Sequence, residues 1–542
     1  MGIKKANQKG FLFGVCLLVC FCIGMGLFQV PVIEAADNLS ISKTKMTMQV
    51  GGKKTLKIKG TKQKVSWSSE HPKIATVNDE GVVRAKEEGT TKIHGKVGEH
   101  TYTCTVKVQK RQIRVLLKTT GYGSIYHSSV TVTSEKKFTV SNGTETKTYD
   151  AKKKVTIKPD NSLFKKEKKL TISAENNGNI QITSINRSQG KPSYHGKIEV
   201  ITVTGKGIAV INQLPLEQYL YSVVSSEMST GNAKEALKAQ AITARSFAYS
   251  HLNSKQYQAY DADLDDSTSF QAYNNLKEAE STKNAVDETE NLVLKSDGTI
   301  VSTHYYSVSS GQSATPSEVW GGSSTDKYYP RRIQTKNGKE KNLSTESAFK
   351  SFWADKKLVT FDSNSEWYRW HAVITKSNMQ KQINNRLSAY SSNGSSSVLV
   401  KQKDGTYKGT KITSIGSLKK ISVCERTKSG MVKGILITGS KATVKVLNAT
   451  YIRYILAPVS DKLVKQNGST ISKMSILPSS FFYVEKGKND AGKVCFTIYG
   501  AGYGHGVGMS QNGANQMAKN GYSFKEILHH YFQNVSISHI VD

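Results

Sequence analysis

The clearest pattern of apolar and polar positions lies in residues 214–252. Leu216, Leu220 and Val223 follow one another at helical spacing, so this part of the chain predicts an amphipathic helix with one buried face. The next position on that face, eleven residues after Leu216, is Glu227. The pattern therefore places a carboxylate where a helix usually buries an apolar side chain.

A second helix is predicted directly after the first, with Asn232 as its N-cap and Glu235 three residues later. One face of this helix consists mostly of small residues, which let two helices approach closely: Ala233, Leu237, Ala241, Ala244 and Ala248. The two segments together predict a helix pair with a carboxylate at the end of its first member.

An inward-facing Glu227 loses hydration, so its carboxylate must be paired or must have a raised pKa. A raised pKa lets a carboxyl group hold a proton near neutral pH and act as a general acid. The alternative is a residue at the helix end that turns to solvent. Helical phase alone leaves both interpretations open.

Alternating apolar residues predict β-structure before and after the helix pair. In residues 39–110, apolar and polar residues alternate in short runs that glycine-containing turns separate, which predicts a small β-sandwich. Cys104 is predicted to be a packing residue of its core. Residues 112–210 predict short strands with polar turns, and residues 421–440 predict a hairpin. The chain is therefore expected to be rich in strands.

Residues 499–521 hold glycines at alternate positions around His505. Such glycines let backbone amides approach a ligand, although a tight turn with a structural histidine has the same pattern. The motif lacks the glycine spacing of dinucleotide sites, the Gly-Lys-Ser/Thr end of a P-loop and the Gly-x-Ser-x-Gly of serine hydrolases. Directly after it, Ser523 and Glu526 predict the capping box of a closing helix.

The charge of the chain points to polyanionic surroundings. There are 76 Lys and Arg against 42 Asp and Glu in 542 residues, a formal charge of +34. Nucleic acid and anionic cell-wall polymer both fit that charge. The basic residues are mostly lysines spread evenly along the chain, without an arginine-rich helix, a zinc-finger spacing or an RNA-binding aromatic signature. This distribution favours a wall polymer and argues against nucleic acid.

Residues 1–36 predict export of the protein. Three lysines precede the uncharged residues 11–30, and Ala35 and Ala36 follow as a small-residue cleavage site. The segment predicts a signal peptide, with a single membrane anchor as the alternative. Of the six cysteines, three lie in this segment and the other three are far apart, so neither a disulfide framework nor a cysteine zinc site is predicted.

The helix pair also resembles a known family. Within residues 212–249, the letters NQLPLEQYLYSVVSSEM and EALKAQAITARSFAY are similar to the segment that defines the SpoIID/LytB family of bacterial cell-wall proteins. The resemblance implies that the Glu of the SEM triplet, here Glu227, is the catalytic acid/base of a SpoIID-type lytic transglycosylase. It also implies that Gln240 and Arg245 bind substrate. Family and helical phase select the same carboxylate.

A later loop, YYSVSSG, is similar to the family pattern YHSTSGG and implies that Ser307 and Ser309 face the sugar. Tyr306 stands where the family has a histidine. The zinc site of some relatives is therefore not carried over, and we predict neither a metal site nor another cofactor. Asp261 and Gln271 fall in a further family element and are expected to shape the cleft.

The closing motif matches the family pattern GRG(W/Y)GHGVGMSQ nearly letter for letter, with Ala501 in place of the arginine. The resemblance implies that His505, Ser510 and Gln511 position sugar and acetamido groups. A neutral imidazole near Glu227 is expected to titrate in the working pH range. Because the two strongest motifs lie far apart in the chain, we expect them to meet across one cleft.

Residues 65–93 resemble the group 2 bacterial Ig-like domain, whose modules space or anchor an extracellular partner domain. The expected fold is therefore α+β: a β-rich catalytic domain with a helix pair lining a cleft, preceded by a small all-β Ig-like sandwich. The expected boundaries are 1–36 for the signal peptide or anchor, 38–110 for the Ig-like domain and 111–542 for the SpoIID/LytB domain.

The resemblance implies an exported peptidoglycan lytic transglycosylase that acts in cell-wall remodelling or sporulation. Such an enzyme cleaves glycan between N-acetylmuramic acid (MurNAc) and N-acetylglucosamine (GlcNAc) without water and leaves 1,6-anhydro ends, and SpoIID relatives prefer strands stripped of stem peptides. The alternatives are a non-catalytic enhancer of a cell-wall amidase, the role of LytB-type members, and a wall-binding module. Expected partners are glycan strands, anionic wall polymers and, for the enhancer, an amidase. The expected location is extracellular and wall-associated.

Overall fold

The computed structural model describes residues 39–165, 168–274, 278–322 and 324–541. The predicted signal peptide or anchor at residues 1–36 lies outside the described residues. Within the described part of the chain, no helix is both long enough and apolar enough to cross a membrane.

The first strands follow the predicted alternation, because Met46 and Met48 are buried while the alternating residues Lys45 and Thr47 are exposed. Cys104 is fully buried in the same core, as predicted. The strands are β1 Ser40–Ile41, β2 Lys45–Gln49, β3 Lys53–Thr55, β4 Ile58–Lys59, β5 Ser66–Ser69, β6 Ala75–Val77, β7 Val82–Ala85, β8 Gly89–Val97 and β9 His100–Gln109. They form sheets with the strand orders β2-β9-β8-β5, β3-β7-β6 and β1-β4.

Two sheets are built before and around the helix pair. Their strands are β10 Gln112–Leu117, β11 Val130–Thr133, β12 Phe138–Ser141, β13 Thr146–Tyr149, β14 Val155–Ile157, β15 Lys169–Ala174, β16 Ile180–Ile182, β17 Ser193–Tyr194, β18 Lys197–Val203, β19 Gly207–Pro215 and β20 Leu264–Asp265. The first sheet is mostly antiparallel and has the order β13-β12-β15-β18-β19-β10-β20, and the second has the order β14-β11-β16-β17. Strand β19 ends at Pro215, which is also the N-cap residue of the first helix.

The predicted helix pair is α1 Leu216–Glu227 and α2 Lys234–His251. The apolar stripe Leu216, Leu220 and Val223 is buried in the main core. Glu227 is the last residue of α1, so the helix ends at the carboxylate that the pattern selected.

The predicted N-cap of α2 is wrong. The N-cap residue is Ala233 rather than Asn232, and no side chain caps this helix. The backbone N–H of Ala233 instead donates to Asn515 Oδ1 at 2.9 Å. Glu235 accepts a hydrogen bond from the backbone N–H of Phe524 at 2.8 Å, so its carboxylate ties α2 to the C-terminal part of the chain.

Among the described residues, the part of the chain from residue 278 onward forms four sheets of two to five strands. The predicted hairpin forms between β27 and β28, and Ser523 and Glu526 form the predicted capping box of α9. The helices are α3 Glu280–Asp287, α4 Pro316–Trp320, α5 Glu346–Ala354, α6 Lys376–Tyr390, α7 Ala449–Ile455, α8 Gln511–Lys519 and α9 Phe524–Tyr531. The strands are β21 Leu292–Ser296, β22 Thr299–Ile300, β23 Tyr305–Tyr306, β24 Arg369–Thr375, β25 Val398–Lys401, β26 Tyr407–Lys408, β27 Leu418–Arg426, β28 Val432–Gly439, β29 Thr443–Val446, β30 Lys462–Lys465, β31 Thr470–Ser472, β32 Phe482–Lys488, β33 Val494–Ala501, β34 Met509–Ser510 and β35 Ser536–His539.

The N-terminal sandwich has a buried core of its own, formed by residues between 46 and 108. The main core gathers residues between 113 and 532, including α1, α2 and α8, and another core lies between residues 370 and 498. The expected fold class is confirmed, since the chain combines helices with a larger share of strands and has the sandwich near its N-terminus.

We propose the boundary between residues 110 and 111 as the division between two independently folding units, because one continuous part of the chain, residues 46–108, supplies the whole sandwich core. Deleting residues 39–110 is expected to leave a remainder that unfolds in a cooperative thermal transition, measured by circular dichroism. A remainder without a cooperative transition would contradict the boundary.

Candidate active site

The carboxyl group of Glu227 lies where the end of α1 meets the start of α8. Its Oε1 accepts a hydrogen bond from the backbone N–H of Ala272 at 2.7 Å. Its Oε2 lies 3.5 Å from the side-chain nitrogen of Gln511, the first residue of α8, and the hydroxyl of Tyr305 donates to the carboxyl group as well. The helix-pair motif and the closing motif therefore meet at this carboxylate.

Burial raises the pKa of Glu227 above the ordinary value of a glutamate. The hydrogen bonds from Ala272, Gln511 and Tyr305 act in the opposite direction, but the loss of hydration is the larger effect. The residue as a whole remains partly exposed. Glu227 is thus a carboxyl group that holds its proton to a higher pH than usual, on a residue that is not fully buried.

Gln271 fixes the tyrosine that contacts Glu227. Its side chain is buried, and its nitrogen donates to the Tyr305 hydroxyl at 3.0 Å and to the carbonyl of Ala244 at 3.2 Å. Its oxygen accepts from the Tyr219 hydroxyl at 3.1 Å. Gln271 therefore shapes the site, as expected from the sequence.

Asp261, the other residue of that family element, points away from the site. Its carboxylate is largely exposed and pairs with Arg114 at 3.3 Å. The structure therefore argues against a role for Asp261 in shaping the cleft.

The glycines of the closing motif allow the chain to turn tightly against the loop that carries Tyr305. Gly508 has a φ of 79°, and a Cβ atom on it would lie 2.0 Å from the carbonyl oxygen of His304. Only glycine fits this approach without displacing the backbone. The turn leads into β34, which pairs in parallel with β23, and Gln511 follows directly. The glycines are thus needed for placing Gln511 against Glu227.

Asp362 joins the two loops of the site, and no sequence pattern pointed to it. Its fully buried Oδ1 accepts from the hydroxyl of Ser510 at 2.6 Å and from the backbone N–H of Ser309 at 3.1 Å. Burial raises the pKa of Asp362 to about 6. The side chain is a positioning residue, because it holds the residue next to Gln511.

The His505 ring is hydrogen-bonded to two backbone groups. Its Nδ1 accepts from the backbone N–H of Val507 at 3.1 Å, and the ring also bonds the backbone of Tyr305. Burial, together with the nearby His304, lowers the pKa of His505 to about 3. The expectation that this imidazole titrates in the working range is therefore wrong, because the ring is neutral well below neutral pH.

Four other predicted substrate contacts are buried, and among the described residues three of them have hydrogen-bond partners whereas the Gln240 amide has none. The hydroxyl of Ser510 is buried, caps α8 by accepting from the N–H of Gly513 at 3.2 Å and donates to Asp362. The hydroxyl of Ser309 is buried and accepts from the backbone N–H of Gly311 at 3.1 Å. Gln240 is fully buried in α2. These placements argue against direct sugar contact by the three side chains.

Arg245 is the fourth buried residue that the sequence predicts to bind substrate. Its buried guanidinium makes a two-point ion pair with Glu217, at 2.8 and 2.6 Å, and donates to the carbonyls of Val286 and Leu292. This ion pair ties α2 to α1, so the structure gives Arg245 a packing role and argues against substrate binding. Ser307, by contrast, is exposed in the loop after β23 and stays a predicted sugar contact.

The two departures from the family pattern are accommodated by neighbouring residues. Tyr306 fills the histidine position with a buried ring that packs 5.5 Å from the ring of His505. Ala501 is buried at the end of β33, and Arg369 lies directly opposite it in β24. The Arg369 guanidinium donates to the carbonyl of Ser310 at 3.0 Å, so an arginine still reaches the loop. Among the described residues, no group of three or more His, Cys, Asp or Glu side chains is placed to hold a metal ion.

Comparison with known families assigns two parts of the chain. Residues 204–295 match the SpoIID family model, described as Stage II sporulation protein, and residues 63–110 match that of the bacterial Ig-like domain. The chain thus contains a SpoIID-family domain and a bacterial Ig-like domain, which confirms the resemblance seen in the sequence. Residues 314–508 match a domain of unknown function, DUF8618. Glu227 lies inside the SpoIID match, whereas Gln511 lies beyond the matched ranges.

The protein is also similar to curated bacterial proteins. The amidase enhancer of Bacillus subtilis (strain 168) is 28% identical over 321 residues, which are 59% of this chain and 40% of the relative. Stage II sporulation protein D of Bacillus amyloliquefaciens is 26% identical over 343 residues, 60% of this chain and 75% of the relative. The match to the amidase enhancer therefore spans less than half of that relative's length.

Replacing Asp362 by asparagine is expected to change how stability depends on pH. Because the folded pKa of about 6 exceeds the ordinary value near 4, the folded state holds the extra proton between those values. The stability contributed by this group is therefore present at low pH and is lost as pH rises. From about pH 4 to pH 7, the wild type should lose roughly 2 kcal/mol of unfolding free energy relative to Asp362→Asn.

Urea unfolding at a series of pH values measures this difference. Asp266, whose pKa burial also raises to about 6, titrates in both proteins and cancels in the comparison. A difference that does not change with pH would contradict the assignment of a raised pKa to Asp362.

Replacing His505 by alanine is expected to lower the melting temperature and any activity together, because it frees the Val507 N–H and removes the bond to the Tyr305 backbone. The shape of the pH–activity profile should not change, since a pKa near 3 lies outside the working range. The exposed His529 provides a matched control as His529→Ala. A pH limb that disappears only in His505→Ala would show instead that this imidazole titrates during the reaction.

Proposed function

We propose that the protein is an exported peptidoglycan lytic transglycosylase with Glu227 as its only acid/base. The SpoIID-family domain and the relatives named amidase enhancer and stage II sporulation protein D support a cell-wall-related function. The proposed reaction cleaves the bond between MurNAc and GlcNAc and leaves a 1,6-anhydro-MurNAc end. Strands stripped of their stem peptides are the proposed substrate, in wall remodelling or sporulation.

The observation that carries the proposal is a carboxyl group with a raised pKa and neutral hydrogen-bond partners. Burial raises the pKa of Glu227, and its hydrogen bonds come from the Ala272 backbone amide, the Gln511 amide and the Tyr305 phenol. Glycoside hydrolases usually need a second carboxylate, as base or nucleophile, roughly 5 to 10 Å from the acid. A reaction that uses one carboxyl group twice needs no such partner, so these neutral contacts are compatible with a transglycosylase.

In the proposed first step, protonated Glu227 gives its proton to the glycosidic oxygen while the bond from MurNAc C1 to that oxygen breaks. GlcNAc then leaves with a free hydroxyl. In the second step, the Glu227 carboxylate takes the proton of the MurNAc C6 hydroxyl as its oxygen bonds to C1. Glu227 is protonated again at the end, and the raised pKa suits the step that begins the cycle.

Three neighbours are proposed to hold Glu227 ready for both steps. The Ala272 N–H donates to Oε1 at 2.7 Å, the Gln511 nitrogen lies 3.5 Å from Oε2, and the Tyr305 hydroxyl donates to the carboxyl group. The Gln511 amide is close enough to bind a sugar hydroxyl or acetamido group beside the breaking bond, and Ser307 is exposed in the neighbouring loop.

A second candidate is a non-catalytic enhancer of a cell-wall amidase. The relative named amidase enhancer favours it, and so do the substitutions at Tyr306 and Ala501. In that case the same cleft would bind glycan or the amidase without cleaving either. For both candidates we propose an extracellular, wall-associated location, with the charge of +34 favouring retention by anionic wall polymers.

Glu227→Gln is expected to lower cleavage of peptide-free glycan by ~10²-fold or more, because it removes the proton donor and keeps the size of the side chain. Mass spectrometry of the digest measures 1,6-anhydro ends. In the wild type the rate should fall as pH rises through the raised pKa of Glu227, because the acid form starts the reaction.

Glu280→Gln makes the same chemical change at an exposed residue of α3 and serves as the control. Full activity of Glu227→Gln would refute Glu227 as the acid. A wild type that yields no anhydro ends but increases the activity of a wall amidase would favour the enhancer.

A further inference from the structure

One aromatic side chain near the site is turned to solvent. Trp320, the last residue of α4, is 53% exposed. Among the described residues, the other exposed large hydrophobic side chains are aliphatic: Val359, Val373, Val459 and Ile471. A single exposed apolar side chain is ordinary on a protein surface, so a binding role for this indole depends on its surroundings.

The Trp320 ring is held by two histidines. Its centroid lies 4.7 Å from that of His304 and 5.1 Å from that of His505. His304 in turn packs 5.8 Å from Tyr329, and His505 packs 5.5 Å from Tyr306. The indole is therefore supported from behind by rings, while its exposed part faces outward.

These rings carry no charge at neutral pH. Burial lowers the pKa of His304 to about 4 and that of His505 to about 3. An uncharged aromatic surface is unusual in a chain with a formal charge of +34, and it does not suit an anionic polymer. It suits a ligand that has an apolar face and a rim of hydroxyl groups, which is the chemistry of a pyranose ring.

The aromatic cluster is connected to the site of Glu227 through shared parts of the chain. His304 directly precedes Tyr305, whose hydroxyl donates to the Glu227 carboxyl group. The His505 ring bonds the backbone of the same Tyr305. The closing motif that carries His505 also supplies Gln511, which contacts Glu227 at 3.5 Å.

We propose that Trp320, supported by His304 and His505, is a stacking subsite for one pyranose ring of a glycan strand whose neighbouring part lies at Glu227. That the strand is peptidoglycan rests on the proposed function. The subsite explains why α4 ends in an exposed indole and why both histidines are kept neutral. It assigns Trp320 to substrate binding and not to proton transfer.

The test measures binding in the Glu227→Gln background, where the ligand stays intact. The probe is a peptide-free GlcNAc–MurNAc tetrasaccharide, and its affinity is measured by calorimetry. Stacking predicts roughly tenfold weaker binding for Trp320→Ala and a loss below about threefold for Trp320→Phe, which keeps an aromatic face. Trp320→Leu should bind as weakly as the alanine variant, because it keeps apolar volume without a ring.

Three results would overturn the subsite: no binding of the tetrasaccharide to the Glu227→Gln protein, equal affinity of the alanine and tryptophan forms, or rescue by leucine as well as by phenylalanine. Val359→Ala, which removes exposed apolar surface elsewhere, is the matched control and should bind normally. Because Trp320 is largely exposed, the melting temperature should stay nearly constant in all variants.

The outcome for the subsite can be separated from that for the proposed reaction. Binding that depends on Trp320, combined with a wild type that forms no anhydro ends, would support the subsite and refute the transglycosylase. If the wild type does cleave glycan, Trp320→Ala should raise KM more than it lowers kcat, since the indole lies beside the reacting bond and not at it.

Discussion

The site depends on a contact between two side chains that are 284 residues apart in the chain, Glu227 at the end of α1 and Gln511 at the start of α8. Neither helix can be displaced alone, because the Ala233 N–H bonds Asn515 and Glu235 accepts from Phe524. These bonds hold the C-terminal helices against α2. The desolvation of Glu227, and with it the raised pKa, exists only while these distant parts of the chain are packed together.

The sequence predicted those parts of the site that lie in short local patterns. Glu227 was found because helical spacing puts it on a buried face, and Gln511 because it ends a recognisable glycine motif. Asp362 was missed since it lies in a stretch without periodicity, and its role arises only when two loops reach it from other parts of the chain. Trp320 and Tyr305 were missed for the same reason, because exposure and ring contacts are tertiary properties.

The structure gives several predicted sugar contacts other hydrogen-bond partners, for a common physical reason. Ser309, Ser510 and His505 stand in motifs that resemble substrate loops, so their polar groups were assigned to sugar. In the structure those groups satisfy backbone donors and the buried carboxyl group of Asp362. A buried turn must satisfy its own hydrogen-bonding groups first. The predicted cap of α2 differs likewise, because tertiary partners replace the local side-chain cap.

The neutral surroundings of Glu227 have a consequence for the proton balance of the proposed reaction. The carboxyl group regains from the C6 hydroxyl the proton it gave to the leaving oxygen, so one turnover neither consumes nor releases protons. The catalyst therefore needs no relay of titratable groups to bulk water and no exchange with buffer between cycles.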